Sequence, residues 1–386
     1  MDRAGAGGVP SPAVRKTVVI VPLVVLLVSC VSVVSIGWYF SSVATSVEHG
    51  RAYRFTIRGV SGDTVTLPRD ATTSRPGVWG LIWPGGRAVL GPVVGGDART
   101  VQRRFSVVFG RPAPGSRAVI DHWVYGRDPR RDLGLEFRDV VYPSSLGPMP
   151  AWFLPGRSSV WVIAVHGRNA SRFETFRALK AVHASGMPVL SISYRNDVGA
   201  PRSPDHRNLM GYTEWRDITS AIAYARGHGA SGVVLYGYSM GGGMVVNAVR
   251  HDASFVRGLV LDSPVLDWNA TLDKQAGQRS LPSFVTAAAK RILAWRMGID
   301  LSSLDARTYA PRLRTPTLLF TTDEDALVDN RPSYEFARLA PRGMVTHISA
   351  HADHTDAWNV DPVRYEKALS GFLGPLLSAR PEESFP

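Results

Sequence analysis

The chain has 386 residues, too long for one compact core and long enough for two. Hydrophobic residues make up 45% and charged residues 20%, which excludes wholesale disorder, and the single cysteine excludes a disulfide framework and a Cys-rich zinc site. Lys and Arg total 44 against 32 Asp and Glu, for a net charge of +12, and only five of the basic residues are lysine.

The first pattern along the chain is an uncharged run from Thr17 to Phe40, rich in Val, Leu, Ile and Ser. As a helix it spans a hydrocarbon core of ~30 Å. Trp38 and Tyr39 fall at its far end, where amphipathic rings favour the headgroup layer. Arg3, Arg15 and Lys16 precede it, opposed only by Asp2. The positive-inside rule therefore predicts a short cytoplasmic tail (residues 1–16), a signal anchor (17–40), and the rest of the chain outside a cell membrane that it crosses once. The competing pattern is a lipobox, Leu27-Val28-Ser29-Cys30, with cleavage and lipidation at Cys30. The apolar run continues for ten residues past Cys30, whereas a cleavage site normally ends it.

From 45 to 135, short β-type runs (54–57, 64–67, 77–83, 101–109, 118–123) are separated by Gly, Pro and Asp, which predicts a small antiparallel β module. Residues 45–150 hold 15 Arg against 9 acids. Such a surface beside a bilayer would meet anionic headgroups, and no nucleic-acid-binding motif accompanies the charge.

From residue 136 the pattern changes to strands alternating with helices. Strands are expected at 136–142, 151–154, 160–165, 188–194, 232–236, 259–261, 317–321 and 344–349, with helices at 173–184, 215–226, 244–251 and 363–377. This alternation predicts an α/β domain with a mostly parallel sheet covered on both faces. The interval 263–313 breaks the rhythm and reads as a cap inserted over the sheet's C-terminal edge, with a helix at 283–296. Trp268, Leu281, Phe284, Leu293 and Trp295 within it are candidates to line an acyl pocket.

Gly237-Tyr238-Ser239-Met240-Gly241 follows the strand at 232–236 and opens onto Gly242-Gly243-Met244. A G-x-S-x-G turn between strand and helix is the setting of a serine nucleophile on a strained elbow. A serine hydroxyl needs a base, and the base needs a carboxylate to orient it. Asp323, Glu324 and Asp325 stand at the exit of a later strand; Asp325 is preferred because Leu327-Val328 follows it, with Asp323 next. After the last strand, His354 is preferred as the base over His351, His347 reads as packed or surface, and Asp353 and Asp356 as loop or capping residues. An oxyanion would need two donors. The expected ones are the N–H of Met240 and the N–H of Arg168, in His166-Gly167-Arg168-Asn169 at the exit of strand 160–165.

These residues resemble the α/β-hydrolase superfamily over 136–377, and within it the membrane-anchored and prolyl-oligopeptidase-related bacterial serine hydrolases. Ser193-Tyr194-Arg195-Asn196-Asp197 and Gly211-Tyr212-Thr213-Glu214-Trp215-Arg216-Asp217 are similar to loops of those proteins. The resemblance implies a triad of Ser239, Asp325 and His354, and a cap built from 263–313. It departs at Thr322, where the acid's loop usually begins with Gly. The expected activity is hydrolysis of carboxyl esters or thioesters, lipids included, through an acyl-enzyme. The alternatives are a serine peptidase of the same fold or a non-catalytic binding protein. No metal or cofactor motif is present, so the expected partners are a small ester or acyl substrate and the membrane.

Overall fold

The computed structural model describes residues 12–48 and 52–377, with side chains from Leu23 onward. Of the tail expected to be cytoplasmic (1–16), residues 1–11 lie outside those described, and 12–16 already belong to the first helix. Helix α1 (Pro12–Thr45) runs past the expected end of the apolar span, and among the described residues Leu23–Thr45 is long and apolar enough to cross a membrane. The extra turn tolerates its polar residues because each hydroxyl is returned to the helix: Ser41 Oγ donates to Trp38 O at 2.9 Å and Thr45 Oγ1 to Ser41 O at 2.8 Å.

The first sheet has seven antiparallel strands: β1 (Phe55–Thr56), β2 (Gly59–Ser61), β3 (Thr64–Pro68), β4 (Trp79–Trp83), β5 (Gly86–Gly96), β6 (Thr100–Phe109) and β7 (Arg117–Asp121). Their order is β1-β7-β4-β5-β6-β3-β2. Its core is Ile57, Val65, Leu67, Trp79, Leu81, Trp83, Leu90 and Val101. Strand β5 was not expected, because Pro92 and its glycines read as turn residues. Register shifts opposite β6 accommodate them.

A short helix, α2 (Pro129–Leu133), leads to the hairpin β8 (Arg138–Ser144) and β9 (Gly147–Leu154). The parallel strands follow: β10 (Val160–Val165), β11 (Val189–Ile192), β12 (Gly232–Tyr238), β13 (Val256–Asp262), β14 (Thr317–Thr322) and β15 (Val345–Ala350). The eight-stranded order is β15-β14-β13-β12-β10-β11-β9-β8, with β9 antiparallel to β11. Strand β10 shows why a continuous apolar run marks the centre of such a sheet. Trp161, Ile163 and Val165 belong to the core under α4 (Trp215–Gly227) and α5 (Met240–His251), while Val160, Val162 and Ala164 pack on α3 (Phe176–Ala184). The interval 263–313 holds α6 (Trp268–Gly277), α7 (Ser283–Met297) and three 3₁₀ turns. Helices α8 (Arg331–Leu339), α9 (Ala357–Val360) and α10 (Pro362–Leu376) complete the described residues.

The two sheets are joined through α9. Asn359 O accepts from Val78 N at 2.8 Å, its Nδ2 donates to Val78 O (2.8 Å) and His122 O (2.9 Å), and its Oδ1 accepts from Arg177 Nη1 at 2.8 Å. Every polar group of this buried side chain is used, so the joint is specific as well as close.

Candidate active site

Strand β12 delivers Ser239 to the turn before α5 with φ 51° and ψ −119°, a conformation costly for any residue with a Cβ. The flanking glycines make the turn possible. A Cβ at Gly237 would lie 2.4 Å from Gly241 O, and one at Gly241 would lie 2.6 Å from the carbonyl oxygens of Val165 and His166. The elbow therefore sits directly against the loop that leaves β10.

His354 stands between two partners. Its Nε2 lies 2.8 Å from Ser239 Oγ and its Nδ1 2.7 Å from Asp325 Oδ2. The other carboxylate oxygen of Asp325 accepts from Leu327 N (2.8 Å) and Val328 N (2.7 Å), which leaves Oδ2 for the imidazole. The Asp325 side chain is fully buried and that of His354 nearly so. Lys274, from α6 of the cap, donates to Val328 O at 2.8 Å and also to Asp325 O, so the cap pins the acid's loop. Asp353 Oδ1 accepts from His354 N at 2.8 Å and Ala326 N at 2.9 Å, tying the two loops together.

The other candidates lie elsewhere. Asp323 and Glu324 both face the exposed ring of His351, at 3.1 and 3.4 Å. His347 Nε2 is 2.8 Å from Thr321 Oγ1. Asp353 and Asp356 do more than shape their loop, because both pair with Arg75, in the connection between β3 and β4 of the seven-stranded sheet, at 3.3 and 3.2 Å.

Met240 is the first residue of α5, so its N–H is one of the amides that a helix start leaves without an intrahelical partner. Gly167, one residue before Arg168, approaches the nucleophile closely: a Cβ there would be 3.0 Å from Ser239 Cβ. Buried groups hold this strip. Gly167 N donates to Glu174 Oε2 at 2.6 Å, and Tyr194 Oη donates to Gly167 O at 2.8 Å. His166 Nε2 faces Asp197 Oδ2 at 2.7 Å and its Nδ1 faces Gly167 O at 2.9 Å. Burial alone would lower the His166 pKa, but the Asp197 carboxylate outweighs it and the pKa is raised. With partners at both nitrogens, the ring braces the strip.

Beneath the nucleophile, Ser239 N donates to Asp262 O at 2.9 Å. Burial pushes the Asp262 carboxyl up to about 6 against the opposing charge of Arg177, and Tyr365 Oη donates to it at 2.7 Å. Glu174, Arg177 and Asp262 carried no signal in the sequence, since isolated polar residues in apolar surroundings have no periodicity.

Of two nearby cavities, one reaches His354 and the other reaches Arg168. The first, of about 720 Å³, is lined by His354, Asn169 and Asp356 from this domain and by Trp79 of the seven-stranded sheet with Arg75 and His122 from its loops. The other, of about 200 Å³, lies between the end of α1, Arg168 and the cap. Of the five proposed acyl-pocket residues, Leu281 and Leu293 line it. Phe284 and Trp295 instead point outward, 66% and 77% exposed. Trp268 is buried with its indole donating to Met210 O at 2.7 Å, as a large ring with one polar group tends to be. Among the described residues, no group of three or more His, Cys, Asp or Glu is arranged to hold a metal ion.

The profile of the alpha/beta hydrolase family matches residues 162–378. A second profile, described as a domain of unknown function (DUF8805), matches residues 56–121, nearly the whole seven-stranded sheet. Among solved structures, the Pyrococcus furiosus esterase Pf2001 superposes with a TM-score of 0.53 at 19% identity, over 66% of this chain and 98% of that one. DcsB, solved in complex with its substrate analogue, gives a TM-score of 0.50 at 16% identity, over 63% of this chain and 100% of that one. At these identities the likeness is one of fold.

Proposed function

The chain belongs to the alpha/beta hydrolase family, and from that premise we propose that it is a serine hydrolase that cleaves carboxyl esters or thioesters through an acyl-enzyme. The observation that carries this reading is the unbroken chain Asp325 Oδ2, His354, Ser239 Oγ, with links of 2.7 and 2.8 Å, ending on a serine in a strained elbow.

In this reading Ser239 Oγ attacks the carbonyl carbon while His354 Nε2 takes its proton, and Asp325 holds the imidazole in position and offsets its charge. The N–H groups of Met240 and Arg168 receive the developing oxyanion. His354 returns the proton to the leaving oxygen or sulfur as its bond to carbon breaks. Water then attacks the acyl-enzyme with His354 as base, releasing the acid and restoring Ser239. Helix α1 serves as a single-pass anchor, with the hydrolase outside the cytoplasm.

Fluorophosphonate labelling of the detergent-solubilised full-length protein tests the nucleophile. Wild type is expected to label, and Ser239→Ala and His354→Ala are not. A folded wild type that does not label would sink the reading. Turnover of p-nitrophenyl esters against aminoacyl amides then separates an esterase from a peptidase.

A further inference from the structure

The two cavities part at consecutive residues: Asn169 lines the larger and Arg168 the smaller. His354 lines the larger. Because the histidine must hand its proton to the leaving group, the leaving group belongs on that side. The acyl part of a substrate whose carbonyl rests on Ser239 then runs the other way, past Arg168.

The cavity it enters is walled by Phe40 and Val43 of α1, Ala276 of α6, and Val285, Ala289 and Leu293 of α7. Helix α7 is packed tightly on the apolar helix, since a Cβ at Gly37 would stand 2.5 Å from Ile292 Cδ1. The guanidinium of Arg296 lies over the Trp38 ring at 3.6 Å and donates to Trp38 O at 2.9 Å. On the opposite face of α7, Phe284, Ala287, Arg291 and Trp295 fall at three- and four-residue spacing and all are exposed. Aromatic and cationic side chains on one face of a helix, beside the outer end of a membrane span, are placed for the bilayer–water interface. With α1 as the membrane span, helix α7 would lie between the bilayer and the cavity that it walls.

We propose that this cavity is an acyl-chain site filled from the outer leaflet, and that the substrate is an acyl ester of a membrane lipid. The proposal rests on the serine-hydrolase and anchor readings above. The bond formed is Ser239 Oγ to the acyl carbon and the bond broken is that carbon to the lipid's ester oxygen. That oxygen leaves with the proton from His354, and water completes hydrolysis to the free fatty acid.

The test fills the cavity from either wall with Ala289→Trp or Val43→Trp in the full-length protein. The readouts are kcat/KM for dodecanoyl and butanoyl p-nitrophenyl esters, and fatty-acid release from phosphatidylglycerol and phosphatidylcholine vesicles carrying the enzyme. The ratio of long- to short-chain kcat/KM is expected to fall about ten-fold or more, the loss from keeping two methylenes out of an apolar site. Release from at least one vesicle type by wild type is expected too, and the better one identifies the headgroup. A ratio unchanged in both folded variants overturns the proposal, and so does a wild type that cleaves the butanoyl ester and releases nothing from either vesicle. Fluorophosphonate labelling keeps the two levels apart. Labelled protein with an unmoved ratio removes the acyl site alone, whereas unlabelled folded protein removes the reading beneath it.

Discussion

Arg168 donates from its guanidinium to Val43 O at 2.7 Å, so the residue that follows Gly167, which borders the nucleophile, also grips the end of the apolar helix. A cation there also meets the negative end of the helix dipole. The two parts of Arg168 have separate expected roles, with the amide facing the oxyanion and the side chain holding α1. Arg168→Ala keeps the amide, and kcat on a soluble short ester is expected to fall by less than ~10-fold. A fall of ~10²-fold or more, the scale for losing an oxyanion donor, would place the guanidinium in that role instead.

Ser239 has two properties that separate by substitution. Ser239→Ala is expected to fold and to lose at least ~10³-fold in kcat. Ser239→Gly loses the same hydroxyl but also the Cβ that makes φ 51° costly. After the greater flexibility of glycine in the unfolded chain is counted, it is expected to be about 1 kcal/mol more stable than the alanine variant. Equal or lower stability by chemical denaturation would show that the elbow is not strained.

The acid is settled by comparing two asparagines. Asp325→Asn places an amide where His354 Nδ1 needs an acceptor, and kcat is expected to drop by ~10³–10⁴-fold. Asp323→Asn touches only the exposed ring of His351 and is expected to stay within ~2-fold. The opposite ranking in steady-state assays would transfer the role to Asp323.

Stability should depend on Asp262 with a definite sign. Its carboxyl is held at about 6 against 3.8 for a free aspartate, so the folded protein binds that proton more tightly than the unfolded chain does. The stabilisation is whole below about pH 4 and is lost as the pH rises through about 6. Between pH 4 and 7, wild type is therefore expected to lose on the order of 2 kcal/mol relative to Asp262→Asn. Parallel stability curves for the two proteins would contradict this placement of the charge.

The sequence by itself determined the alternation of strand and helix and the strand–turn–helix setting of Ser239. Each rests on short-range physics: two-sided burial makes β10 apolar throughout, and a turn whose backbone leaves no space for a Cβ demands Gly237 and Gly241. Strand β5 escaped because its Pro and Gly mimic a turn until β6 is there to pair with it. Which of three neighbouring acids meets His354 was decided only in three dimensions, where the amides of Leu327 and Val328 aim the Asp325 carboxylate inward. Tertiary structure alone brought Arg75 to Asp353 and Asp356, and with it the seven-stranded sheet into the wall of the cavity at His354. It alone brought the end of α1 against α7. Contacts between residues hundreds of positions apart leave no periodic mark on either segment, because each is shaped by its own element and meets its partner only when the cores have formed.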